Sequence, residues 1–80
     1  MGYKPQTNAV AGALALAKLV DKFPATRMVL DYDEEADVLY ISLPRPQQAT
    51  ETVEIDDGEI ALHYRDSELV GITVLNASLQ

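Results

Sequence analysis

An α+β chain, with an N-terminal helix followed by a four- to five-stranded antiparallel β-meander, is what three features of the sequence predict. Leu16, Leu19, Val20 and Phe23 recur at i, i+3, i+4 and i+7, which puts them on one helical stripe. From Ala25 onward the period drops to two, and β-branched and aromatic residues become frequent. Polar or Pro/Gly-containing breaks, "EEA", "PRPQQ", "DDG" and "DSE", divide that alternating region into short runs.

Taken in order, residues 1–8 read as a polar arm containing Pro5, and Thr7 or Asn8 supplies an oxygen to cap the amides of a helix over 9–23. Pro24 ends that helix, because the residue before a proline avoids helical dihedrals. Ala9, Ala11, Ala13, Ala15 and Ala17 make its back small-sided, as expected from alanine's helix propensity. Strands are predicted near 27–33, 38–43, 50–55, 59–65 and 70–75, giving an antiparallel sheet over 26–77 and a single domain over 1–80. Asp57-Gly58 is the strongest hairpin signal, since glycine readily takes the positive φ of a tight turn. The segments "LDYDEEADV" and "LHYRDSELV" each read as strand, polar turn, strand. For the first of them the sequence leaves a two- or three-residue loop open, and the two loops differ in which face each side chain takes.

The chain has 80 residues, no cysteine and a formal charge of −7. A chain this short buries only about 60% of the surface its unfolded form exposes. Disulfides and thiolate metal sites are excluded, so oligomerisation is the remaining way to reinforce a small core. Thirteen acids against six Lys and Arg disfavour nucleic acid and anionic membranes as partners and favour a basic protein. The longest apolar run, "AVAGALALAKLV", falls short of the ~20 residues of a membrane-spanning helix. Ala15-Leu16-Ala17 has the spacing of a leader cleavage site, but a secretory leader is not expected and the cytoplasm is the expected location.

Asp31, Asp33, Glu34, Glu35 and Asp37 crowd into seven positions. A calcium loop starting at Asp31 would need Gly at its sixth place and Glu at its twelfth, where Ala36 and Ser42 stand. An acid–base pair would need a pocket that desolvates one carboxylate, which a hairpin tip does not supply. These acids are therefore read as turn formers that bond nearby amides, with Asp33 and Asp37 flanking the reversal. His63, the only histidine, is placed on a strand face with Ala61 and Arg65. No nucleophile elbow surrounds Ser42, Ser67 or Ser78, and no phosphate-binding loop or zinc-protease motif occurs. No catalytic, cofactor-binding or metal-binding residue is assigned, and the chain is not expected to be an enzyme. Arg45, held between Pro44 and Pro46 and followed by Gln47 and Gln48, is the one loop that stands out as a display segment.

Tyr32-Asp33, Ala36-Asp37, Leu39-Tyr40-Ile41, Asp57-Gly58, Tyr64, Val70-Gly71-Ile72 and the closing "LNAS" together make residues 32–78 resemble the family called domain of unknown function 2283. That resemblance implies a small β domain without established activity, antitoxin-like by association with toxin-like gene neighbours. It implies no catalytic residues, and the helix over 9–23 lies outside it.

Leu39, Ile41 and Leu43 alternate with Val38 and Tyr40, which makes the second strand apolar on both sides, and one helix covers only one face of a sheet. A homodimer is expected, acting as a non-catalytic interaction module that binds a basic protein. A small-ligand or divalent-metal module is the alternative.

Overall fold

A computed structural model describes residues 7–43 and 48–80. Helix α1 spans Thr7–Leu19 and continues as a 3-10 turn over Val20–Lys22. Five strands follow: β1 Val29–Asp33, β2 Val38–Ser42, β3 Glu51–Ile55, β4 Ile60–Arg65 and β5 Glu68–Leu75, with a closing 3-10 turn over Ala77–Leu79. The α+β class and the antiparallel sheet are as the sequence predicts. The helix starts two residues earlier than the capping signals suggest, so the described part of the polar arm is helical.

All strands join one sheet in the order β1-β2-β5-β4-β3. The meander runs through β3, β4 and β5, while the β1-β2 hairpin docks on β5 and not on β3. Two physical reasons favour this order. Pro44 and Pro46 follow β2 directly and lack the N–H groups that a β2-β3 ladder would use. The run Val70-Gly71-Ile72-Thr73-Val74 is nearly continuous in apolar residues, which suits the central position that β5 takes. The acids Asp31 and Asp33 on β1, and Glu51 and Glu54 on β3, fall on the two edge strands, where charge discourages pairing with foreign strands.

The turns account for much of the acidity. Asp37, Asp56, Asp57, Asp66, Ser67 and Asn76 all have positive φ, as does Gly58. Asp and Asn tolerate this left-handed region better than other residues with a Cβ, because their short side chains bond the local backbone. Asp66 and Ser67 are the two central residues between the paired Arg65 and Glu68, the geometry of a type I′ hairpin. In the first hairpin the ladder closes at Asp33↔Val38, so its loop holds the four residues 34–37, longer than either length the sequence left open.

Helix α1 does not lie on the sheet. None of its residues is buried, it packs substantially against no strand, and even a Cβ at Gly12 would meet nothing within 4 Å. The expectation that the helix covers one sheet face is thus corrected: the connector after Lys22 settles at one end of the sheet and α1 extends beyond it. A cleft of about 930 Å³ separates that connector from the sheet end, lined by Val20, Phe23, Pro24, Leu43 and Leu69 among others.

Replacing Asp66 by Asn and Ser67 by Gly gives the turn its preferred residues and relieves positive φ at Ser67. The double variant should be more stable by about 1 kcal/mol, read from its denaturant midpoint at fixed protein concentration.

Candidate functional site

The antiparallel register sorts the side chains onto two unlike faces. Leu30, Tyr32, Leu39, Ile41, Val53, Ile55, Ile60, Leu62, Tyr64, Ile72 and Val74 share one face. Asp31, Asp33, Ser42, Thr52, Glu54, His63, Arg65 and Thr73 share the other, together with Val29, Val38, Tyr40, Ala61 and Leu75.

Among the described residues no helix lies across the apolar face, and Ile41 on β2 is the one residue of this set that is buried. In a five-stranded sheet packed on one side, the central-strand residues of that side would be the most buried in the molecule. Ile72 and Val74 on β5 are only half-buried, as are Ile60 and Leu62 on β4, and Leu30, Tyr32, Val53 and Ile55 are exposed. Among the described residues, only Val38, Ile41, Leu43 and Val70 are buried. The chain exposes 6572 Å², whereas a compact monomer of its 8.8 kDa exposes about 4,800 Å². Its radius of gyration is 14.6 Å, against about 11.6 Å for a compact chain of this length.

The polar face carries a short cross-strand network. His63 Nδ1 lies 3.0 Å from Thr52 Oγ1, and its Nε2 lies 2.8 Å from Thr73 Oγ1. One ring thereby bridges β3, β4 and β5. Gly71 stands opposite His63 in the register, and a Cβ there would crowd the Ile41 carbonyl at 3.3 Å while only touching the ring at 3.6 Å. Arg65 Nη1 donates to the Gln48 carbonyl at 2.9 Å, holding the end of the β2-β3 connection. Arg45, Pro44, Pro46 and Gln47 lie outside the described residues.

The acidic stretch resolves into a turn and a pin. Asp33 Oδ1 accepts the Ala36 N–H at 3.2 Å, while Asp31, Glu34 and Glu35 are exposed. Asp37 reaches farther: its carboxylate accepts from Tyr32 Oη at 2.6 Å, from the Ser78 hydroxyl at 2.6 Å and from the Ser78 N–H at 3.0 Å, and its carbonyl accepts the Ala77 N–H at 2.9 Å. The first hairpin is thus fastened to the C-terminal turn. The Ser78 hydroxyl, then Tyr32, lower the Asp37 carboxyl below its usual range, and the same Tyr32–Asp37 bond chiefly raises the phenol of Tyr32. Among the described residues, no three His, Asp or Glu side chains are grouped to hold a metal ion. Ser42 lies on β2 and Ser67 in the type I′ turn, so of the three serines only Ser78 meets a carboxylate.

The elements that carry the family resemblance occupy these structural positions: Tyr32, Asp37 and Ser78 in the pin, Asp57-Gly58 in a left-handed turn, and Gly71 beside His63. The family model for "protein of unknown function (DUF2283)" matches residues 30–78, over half of the chain. The chain belongs to this family. The match begins at β1 and ends at Ser78, leaving α1 outside it. No curated protein and no solved structure matches the chain. Sequence reading placed Asp37 at the reversal but not its bond to Ser78, forty-one positions away. Ala36-Asp37 and the closing Asn76-Ala77-Ser78, both among the elements that carry the family resemblance, were the available signal.

The pin sets two pH responses. A carboxyl lowered on folding adds stability that is present above its unfolded value, about 3.9, and is lost as pH falls through the folded value. A phenol raised on folding adds stability that is present below about 10 and is lost as pH rises through the folded value. Ser78→Ala should lower the denaturant midpoint at pH 7, and the gap to the unaltered chain should narrow as pH is brought below 4. A gap that stays constant to pH 2 would show that the bond to Asp37 is not its source.

Proposed function

We propose that this chain is a non-catalytic protein-interaction module of the cytoplasm, built as a homodimer through its apolar sheet face and binding a basic protein with its acidic surface. The observation that carries the reading is the uncovered apolar face. A sheet whose central residues stay half-exposed forfeits the burial that must offset chain entropy, at ~25 cal/mol for each Å² left in water. The surface in excess of a compact monomer, about 1,800 Å² per chain and so about 3,600 Å² for two, is of the size that permanent dimers bury.

The division of charge supports a second copy on this face. Of the residues that the register places there, Glu51, at the edge, is the only charged one. A basic partner would find little to recognise on it, whereas the opposite face and the turns carry Asp31, Asp33, Glu34, Glu35, Glu54 and Asp57. That surface favours Lys- and Arg-rich proteins by long-range attraction, and an antitoxin-like role in neutralising a basic partner is the form of this reading that fits the family. His63 supports a structural rather than chemical role, because both ring nitrogens already face threonine hydroxyls.

Light scattering or sedimentation at micromolar concentration should return twice the chain mass, and Leu62→Asp should weaken self-association by at least tenfold. A single-chain mass for the unaltered protein would overturn the dimer. A basic protein captured from native lysate should be released by raised salt, and bait carrying Asp31→Asn, Glu34→Gln and Glu35→Gln should fail to retain it. Equal retention by both baits would remove the acidic surface from the reading.

A further inference from the structure

We infer that the dimer is exchanged, with helix α1 of each copy lying across the apolar sheet face of the other. This rests on the homodimer reading and specifies what fills the interface. Two surfaces of one chain lack cover, and both are apolar. The stretch Ala9–Ala17 holds no charged residue at all, and Val10, Leu14, Leu16, Leu19 and Val20 are each at least 40% exposed. A helix apolar on nearly every side is stable only when buried.

The same chain cannot bring the two together in this geometry. Phe23, Pro24, Ala25 and Thr26 line one cleft with Leu43, Glu68 and Leu69 at the sheet end, and from there α1 runs without packing substantially against any strand. The longest dimension, 49 Å, reflects that extension. In a second copy the identical face is available, and the dimensions agree. Thirteen helical residues span about 20 Å, and five strands at their usual spacing span about 19 Å. Exchange places the uncharged stretch Ala9–Ala17 on a sheet face whose one charge, Glu51, lies at the edge, twice over by one two-fold operation. It leaves Lys18, Asp21 and Lys22, near the helix end, clear of the central stripe. Pairing sheet with sheet would cover the faces but leave both helices in water. Pairing helix with helix would do the reverse.

The absence of cysteine permits a direct test. Leu16→Cys and Leu62→Cys chains, differently tagged, are mixed through a denaturation and refolding cycle and treated with a short bismaleimide, with circular dichroism confirming that each retains its strand content. The expected product is a covalent pair joining one variant to the other, with no pair formed by either variant alone. A covalent pair from Leu62→Cys alone means sheet faces sheet, and one from Leu16→Cys alone means helix faces helix. Either outcome overturns the exchange while leaving the dimer standing. A double variant that links only within one chain overturns it by folding α1 onto its own sheet. A single-chain mass for the untreated protein removes the dimer itself. Isotope-filtered contacts in mixed labelled and unlabelled unaltered protein give the same answer without substitution: α1 methyls should contact β4 and β5 methyls across chains, and their absence in a confirmed dimer ends the proposal.

Discussion

A five-stranded sheet with one greasy face that no described helix lies across is the constraint from which the rest of this protein follows. With four buried side chains among the described residues, Val38, Ile41, Leu43 and Val70, the interior of a single chain is too small to resemble that of a stable 80-residue monomer. Backbone pairing supplies order within the sheet but little net stability by itself. The missing contribution has to come from covering Ile60, Leu62, Ile72 and Val74, and a helix directed away from them cannot give it.

The acidity that dominates the composition serves two purposes at once. Asp33 bonds an amide in its own turn, and Asp37, Asp56, Asp57 and Asp66 occupy left-handed backbone that most residues avoid. Because turns and edges are where such residues are needed, the charge collects there and on one sheet face, and the other face is left almost free of it. The separation of charge from the apolar surface is therefore a consequence of how the turns are made, and it leaves that surface almost uncharged despite a net charge of −7.

Asp37 shows how one residue joins local and distant structure. Its positive φ closes the first hairpin, and its carboxylate then collects Tyr32 from β1 and Ser78 from the last turn. His63 does comparable work on the polar face, spanning three strands through Thr52 and Thr73. Residues that would invite a catalytic reading in isolation are thus engaged in holding strands and termini together, and all of them lie within the family match over 30–78.

The helix, all five strands and the acidic turns were legible in the sequence because each depends on neighbours a few positions apart: the i, i+3, i+4 stripe before Pro24, the two-residue alternation after it, and Asp-Gly in the third break. Strand order was not legible, since placing β5 beside β2 depends on which apolar strand wins the centre of the sheet, a contest between segments some thirty residues apart. The four-residue loop of the first hairpin was also beyond reach, because Asp37 is held not only by Tyr32 of its own hairpin but by Ala77 and Ser78, some forty residues away. The sequence by itself determined that there is a helix and an apolar sheet surface. Only the tertiary structure decided that the two do not meet within one chain, because the direction in which α1 leaves the connector at the sheet end is set by no pattern of neighbouring residues, and it leaves α1 packed substantially against no strand.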